Sequence, residues 1–502
     1  MNRQILKNAC ACLLFLLILV FVMSSVTWLY RGNKIESRED IRGFKSHGDA
    51  DVVLVGGSTL LRYYDPLQAW NRAGITSYNY ATSSARFDVL RDYIEDSRKT
   101  ARADLYVINV RTISLMDAAV DDASIRNWSD SLDPLSITRL RGIGDYLSNR
   151  EWDPASLPSF VFDIIKYHSN SGAPGDSAQW AYVGGGKIYN ADRGFSPNAV
   201  CVPFDKKTWG DGRSALSDQQ SAALSGMLDY CDSKKLKALF VCCPFIFTEY
   251  DEGILNTCGD IIRDRGYEFV NFNEHIDEIG LDFTTDFSDI NHVNYSGAVK
   301  YTDYLTDYIK DRFELTDHRG DPAYDRWTED YEALQPAMKE MAANLAVKTS
   351  RQENARKIGS TLKGITDFYE WYAGIRNRGF TVIIRMNTVP SGLSVKSPMY
   401  LFMSEYKVDP EKETYIGIWN YDKALVSTSK RLNAKAKIGV DGGRGTDACK
   451  VSVESGFIRI AGVDYTADKS PIQVVVYDSN YKEVVDNVNL VPGDGDAVEI
   501  LR

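Results

Sequence analysis

The run Asp51-Val-Val-Leu-Val-Gly-Gly-Ser58-Thr-Leu-Leu61 constrains the fold of this chain more than any other stretch. Four consecutive apolar β-formers, Val52 to Val55, predict a strand buried on both faces, as in the interior of a parallel sheet. Gly56 and Gly57 let the backbone turn sharply and leave room beside Ser58, where a helix is expected to begin. The unpaired N–H groups and the dipole of a helix start favour an oxyanion near Ser58 Oγ. The same residues equally suit a plain strand–turn–helix connection with Ser58 as N-cap, so this motif alone does not assign chemistry.

A buried parallel strand needs crossover helices, and residues 49–315 read as supplying them. Asp65-Pro66 starts a helix with aspartate as N-cap and proline at its first position, and Leu67 and Trp70 are expected to face the sheet. Ser77 to Ser84 reads as a short second strand and its turn. Arg86–Arg102 is helical by the spacing of Phe87, Leu90 and Ile94. Asp104–Arg111 is the next buried strand, and its alternation puts Asn109 and Arg111 on one face. Residues 115–215 read as an insertion, with a helix from Pro158 to Tyr167 and a Gly/Ser/Asn-rich stretch from Ser169 to Gly194; His168 is read as packed or solvated. From Ser217-Asp-Gln-Gln220, a capping box, a helix carries Leu224, Met227, Leu228 and Cys231 as a core stripe. Strands at Lys237–Pro244 and Tyr267–Phe272 flank a helix at about Ile254 to Arg265. A closing helix, capped by Ser296, buries Tyr301, Tyr304, Leu305, Tyr308 and Ile309. The expected fold is a three-layer α/β/α sandwich on a parallel sheet, with its functional loops at the carboxyl ends of the strands.

The loop before that closing helix reads Asp286-Phe-Ser-Asp289-Ile-Asn-His292-Val-Asn-Tyr-Ser-Gly297. Asp289 and His292 are close enough for the carboxylate to orient the imidazole and stabilise its protonated form. A nucleophilic serine requires that arrangement, a base in hydrogen-bond reach that is itself held by a third group. Of the five histidines (His47, His168, His275, His292 and His318), His292 is the one read in such a setting.

Taken together, the Ser58 block and the Asp289-Ile-Asn-His292 block resemble the SGNH (GDSL-like) hydrolase superfamily over residues 49–315. In that superfamily the serine follows the first strand in a Gly-Asp-Ser-type block, and a late Asp-x-x-His completes the triad. Gly57 stands here in the aspartate's place. The likeness is more specific to membrane-anchored members from bacterial cell-envelope loci, such as the D-alanine transfer protein of the lipoteichoic-acid pathway and the alginate-acetylation proteins. The resemblance implies Ser58 as nucleophile, His292 as base and Asp289 as its orienting acid, with no metal and no organic cofactor. It also implies an oxyanion hole. The family's Asn-x-Gly corresponds to Asn79-Tyr-Ala81, where alanine replaces glycine but keeps a backbone N–H. The family's Gly-x-Asn-Asp is replaced by Asn109 and Arg111, and Arg111 becomes the candidate for the oxyanion, for an anionic substrate or for a structural ion pair. The implied partners are an acylated surface glycan or acyl donor and a membrane-bound acyltransferase. Two functions stay open: acyl-ester hydrolysis or transfer, and a catalytically weak scaffold within a polysaccharide-modification assembly. The degenerate second and third blocks favour the scaffold, and the intact Ser58 and Asp289/His292 disfavour it.

At the amino terminus, Ala9 to Tyr30 is an almost uninterrupted apolar run, long enough to span a bilayer. It is long for a signal peptide and lacks a clear cleavage site, so it reads as an uncleaved anchor over residues 1–30. The short tail before a large domain suggests a cytoplasmic start and an extracytoplasmic body, with residues 31–48 as a polar stalk. A net charge of −11 without a basic cluster argues against nucleic acid. Eight cysteines in 502 residues do not make a disulfide scaffold. Cys231, Cys242 and Cys243 read as small core residues, and a Cys201–Cys258 disulfide is left open.

After Phe313 the pattern changes. Residues 316–378 are polar and helical, and they read as a linker or brace with Phe368, Tyr369 and Tyr372 on one packed face. From 379 to 502 the chain is β-rich, with strands at Phe380–Met386, Tyr415–Trp419, Cys449–Val453, Gly456–Ile460 and Gln473–Tyr477. A hairpin joins the last of these to Glu483–Val488. This part resembles the ILEI/PANDER-type β-domain, as a glycan- or protein-binding module or as a purely structural one.

Overall fold

The computed structural model describes residues 3–502 except 31–35, 49, 118–121, 133–135, 149–156, 169–188, 377–379, 421–422, 431–432, 440–447, 467–470, 480 and 494–496. The Gly/Ser/Asn-rich stretch expected from Ser169 and the first residues of the expected stalk thus lie largely outside the described residues. The chain forms two compact units, Met1–Leu345 and Ala346–Arg502.

One N-terminal helix, Arg3–Tyr30, contains a 20-residue stretch, Gln4–Met23, long and apolar enough to cross a membrane. Its residues Gln4 to Val22 are all exposed.

The first unit is built on five parallel strands: β1 (Val52–Gly56), β2 (Ser77–Ala81), β3 (Leu105–Asn109), β4 (Ala238–Cys242) and β5 (Glu268–Asn271). Their order is β2-β1-β3-β4-β5, with Val52 paired to both Ser77 and Leu105. The three central strands β1, β3 and β4 are almost wholly apolar because both faces are covered, and alternate residues feed different cores. Val53, Val55, Ile108 and Phe240 join one cluster with the helices Leu90–Ser97, Asp218–Lys234 and Glu249–Asp264. Val52, Leu54, Val107 and Leu239 join the other, with the helices Ser58–Tyr63 and Tyr295–Arg312. The Ser217–Gln220 capping box is present, and Asp65 caps the Pro66–Ala73 helix by accepting from the Leu67 and Gln68 N–H groups.

Several expectations are corrected. Leu67 and Trp70 do not face the sheet; Ala69 and Ala73 do, and the two larger side chains pack with Trp327 in a separate cluster. Asn294, not Ser296, caps the closing helix, accepting from Gly297 N–H at 3.2 Å. The polar stalk ends early, because Ile41 and Phe44 are buried in the core and Phe44 packs edge-on to Tyr78 and Tyr80. All eight cysteines are free; Cys201 and Cys258 lie in the cores on opposite faces of the sheet.

The stretch expected as a linker is shared between the units. Asp325–Lys363 is one helix that crosses the division. Its Leu345 is buried in the first unit's core, and its Ala355 and Leu362 in the second's. The second unit is antiparallel. A six-stranded sheet contains the expected strands β6 (Thr381–Met386), β7 (Tyr415–Asn420), β13 (Ile472–Asp478) and β14 (Glu483–Pro492). A four-stranded sheet contains β10 (Cys449–Glu454) and β11 (Phe457–Ile460). The β13–β14 hairpin forms as expected. The structure adds four strands, β8 (Lys423–Thr428), β9 (Asn433–Ile438), β12 (Val463–Asp464) and β15 (Val498–Leu501); the lysine-containing, half-exposed sequences of β8 and β9 carry little strand signal.

Candidate active site

Where β1 ends, the chain has little room. A Cβ on Gly56 would stand 2.8 Å from Leu60 Cδ1 and 3.1 Å from Asn109 Cβ. Gly57 is the N-cap of the next helix, and Ser58 is its first residue. Ser58 is therefore not the cap, and its hydroxyl is free for another partner. That partner is His292, with Ser58 Oγ 2.8 Å from Nε2 across 234 positions of sequence. His292 Nδ1 lies 2.9 and 3.0 Å from the two carboxylate oxygens of Asp289. A proton on Nδ1, facing the carboxylate, leaves the Nε2 lone pair to accept from the serine hydroxyl.

The 286–294 loop is held tightly enough to keep this geometry. Ser288 N–H donates to His292 O at 2.9 Å, and Asn291 N–H donates to Asp289 Oδ1 at 2.7 Å. Asn294 N–H donates to Asp286 O at 2.8 Å. A Cβ on Gly297 would come within 2.6 Å of Asp286 O, so the closing helix sits directly on the loop. Tyr63 ties the serine helix to the same loop by donating to Asn291 O at 3.2 Å and to Pro244 O. Burial pushes the Tyr63 hydroxyl well above its ordinary pKa, so it stays a neutral donor. The His292 side chain is 19% exposed and Asp289 50%, so the pair is open to solvent on its carboxylate side.

The remaining expected site residues separate. Gly57 adjoins the serine, and a Cβ there would lie 3.5 Å from Thr112 Cγ2 and 3.8 Å from Ala85 N. Asn79 does not reach Ser58. Its amide donates to the carbonyls of Leu60, Tyr64 and Gly194, bracing the serine helix from below. Ala81 is also displaced as a donor. Asn79 N–H donates to Arg193 O on the outer edge of β2, and Thr82 N–H donates to Gly56 O. Backbone groups alternate in direction along a strand, so Ala81 N–H points outward with that of Asn79. The segment beside Gly57 is the turn Thr82–Ala85, in which Ser84 is left-handed at φ 59°. Asn109 and Arg111 do not share a strand face, since β3 ends at Asn109 and Arg111 opens a 3-10 turn. Asn109 is buried against Thr59 and Cys243, whereas Arg111 Nη2 donates to Asn291 Oδ1 at 2.6 Å.

Sequence reading missed Tyr63, Thr112 and Asn291. Asn291 lies inside the Asp289–His292 block, and only its contact with Arg111 singles it out. It also overstated the isolation of His292. His318 Nε2 lies 2.7 Å from Asp51 Oδ2, and His275 Nδ1 lies 2.9 Å from Glu278 Oε2. What distinguishes His292 is the serine hydroxyl on its other nitrogen. The nearby thiols are not competing nucleophiles, as burial pushes Cys243 up to about 12 and Cys242 well above its ordinary value. Among the described residues, no group of three or more His, Cys, Asp or Glu side chains comes together as a metal site.

No protein-family model matches the chain, and no curated protein matches it in sequence.

Proposed function

We propose that this protein is a membrane-anchored, SGNH-type acyl-ester hydrolase or O-acyltransferase acting on cell-envelope glycans, with Ser58 as nucleophile. The observation that carries the reading is the continuous relay from Ser58 Oγ to His292 Nε2 and from His292 Nδ1 to the Asp289 carboxylate. Such a relay matches the requirements of acyl transfer. Ser58 Oγ bonds to the ester carbonyl carbon while its proton passes to His292. The carbon–oxygen bond to the leaving alcohol then breaks, and His292 returns the proton to that alcohol. Water, or a hydroxyl of an acceptor sugar, attacks the acyl-serine by the reverse path. Asp289 holds the imidazole in the required tautomer and stabilises its charged form. The oxyanion would meet the Ser58 N–H, with the Thr82–Ala85 turn and the buried, unbonded Thr112 hydroxyl beside it. The Gln4–Met23 stretch is the anchor, with the amino terminus cytoplasmic and the body outside.

A second reading, a catalytically weak scaffold for a membrane-bound acyltransferase, is favoured by one observation. The Asn79 amide and the Ala81 N–H both point away from Ser58. A fluorophosphonate probe on the full chain separates the two readings. An activated Ser58 is labelled, and labelling disappears in Ser58→Ala; absence of labelling in the parent chain supports the scaffold.

A further inference from the structure

Arg111 is only 5% exposed, yet no ion pair among the described residues involves it. Arg193 faces Asp330 at 2.8 Å and Arg86 faces Asp88 at 2.8 Å; Arg126, like Arg111, has no ion pair among the described residues and rests on a ring, Phe160 at 4.1 Å, but it donates to two acceptors, Ser159 O and Oγ. The Arg111 guanidinium rests on the Phe245 ring, with Cζ 4.0 Å from the centroid. Nη2 donates to the neutral Asn291 Oδ1, and Nε is buried with no acceptor. Nη1 has no acceptor among the described residues either. A buried guanidinium without a counter-charge is costly. Ring contact and one amide oxygen compensate only part of that cost. The unmet donors are one side chain from the chemistry, because Asn291 precedes His292 and its N–H sits on Asp289.

We propose that Arg111 is an anion-binding residue of the substrate site, and that the ester processed at Ser58 carries a carboxylate or phosphate group that Arg111 binds. This rests on the reading of Ser58 as an acyl-transfer nucleophile. A planar guanidinium with free N–H donors suits either anion, and binding it would supply the counter-charge that the protein leaves out.

The test has a kinetic arm and a binding arm, both on the full chain in detergent. In the kinetic arm, 4-nitrophenyl acetate is compared with the 4-nitrophenyl monoester of succinic acid, whose acyl group ends in a carboxylate. The parent should prefer the anionic ester in kcat/KM. In Arg111→Gln that preference, taken as a ratio, should fall about 10- to 100-fold, the range of one charge-assisted hydrogen-bond set. Arg111→Lys, which keeps the charge but loses the planar fork, should retain part of it. A parent without preference, or a ratio unchanged in Arg111→Gln, overturns the inference; the latter result would make Arg111 a positioning residue for Asn291. The parent measurement stands alone if Arg111→Gln fails to fold. In the binding arm, succinate and inorganic phosphate are titrated into Ser58→Ala by calorimetry, with Ser58→Ala/Arg111→Lys as comparison. Binding of succinate alone identifies a carboxylate, and binding of phosphate identifies a phosphate-bearing substrate. Anion binding in a parent chain that turns over no ester leaves the anion site standing and removes the esterase reading. Turnover without anion preference or binding removes the anion site alone.

Discussion

The two ends of β1 each carry a histidine paired with an aspartate, and the pairs do different work. At the amino end, His318 Nε2 lies 2.7 Å from Asp51 Oδ2, with side chains 14% and 18% exposed. At the carboxyl end, His292 Nδ1 lies 2.9 Å from Asp289. The distances barely differ; the ring nitrogen does. His318 turns its projecting nitrogen to the carboxylate and stacks its ring on Tyr324, 4.1 Å between centroids. Its backbone N–H donates to Gly74 O, and Asp51 O accepts from the Asp104 and Leu105 backbone N–H groups. That pair is a clasp holding residues after the closing helix to the bottom of the sheet. His292 uses the nitrogen nearer its backbone for the carboxylate, so Nε2 reaches Ser58. A histidine–carboxylate pair is thus not a catalytic signature until its second nitrogen meets a hydroxyl, and in a parallel α/β sheet that meeting is favoured at the carboxyl ends of the strands.

The sharpest way to break this contrast is at Ser58. Ser58→Ala should lower turnover of a small acetyl ester about 1,000-fold or more, the scale on which a triad nucleophile acts, and leave the melting temperature within a few degrees of the parent. Turnover equal to the parent's would remove the serine from the reaction. Asp289→Asn comes next. A buried triad carboxylate is worth about 10,000-fold, but this one is half exposed, so a fall of about 10- to 1,000-fold in kcat is expected. Steady-state kinetics would decide, and a loss matching that of Ser58→Ala would mean that solvent moderates the pair less than its exposure implies. His318→Ala should reverse the pattern. It removes one side of a mostly buried pair and should cost about 1–3 kcal/mol in the stability of the first unit, with kcat/KM within about twofold of the parent. A large loss of activity there, in folded protein, would erase the distinction between the two ends.

The same contrast explains what the sequence could convey. Continuous apolar runs such as Val52–Val55 and Leu239–Val241 identify the parallel sheet, because burial on both faces leaves no polar alternation to obscure them. Ser58 and Asp289/His292 were legible because each block is local and its spacing has a chemical meaning. Which way Ala81 N–H points is not local. It depends on β2 being an edge strand whose outer side is taken by Arg193, more than a hundred positions away. The pairing of His318 with Asp51 spans 267 positions and leaves no trace in spacing. Leu67 and Trp70 look like sheet-facing residues on their own helix, and only the presence of Trp327 redirects them. Strands β8 and β9 were missed for another reason, since lysine and alanine on half-exposed strands fit a helix or loop equally well.

The smallest effect tests whether the amino-end pair is a clasp that works against its own desolvation. Burial raises the Asp51 carboxyl above its ordinary value, while the bonds from His318 and Thr76 and the charge of His318 pull it down and Asp104 pushes it up; burial prevails. The folded state then holds the Asp51 proton more tightly than the unfolded chain does. Its contribution to stability is full below the ordinary carboxylate value and is lost as pH rises through the raised one. Asparagine has the same shape, can accept from His318 Nε2, and does not titrate. Asp51→Asn should therefore gain on the parent as pH rises from 3 to 7, by about a few tenths of a kcal/mol, because solvent still reaches the pair. Urea midpoints of the first unit, measured for both proteins across that range, would show it. A difference that stays flat, or that moves against the variant with rising pH, would mean that His318 and Asp51 gain more from ionising together than burial takes away. The amino end would then be held by charge rather than clasped against its own desolvation.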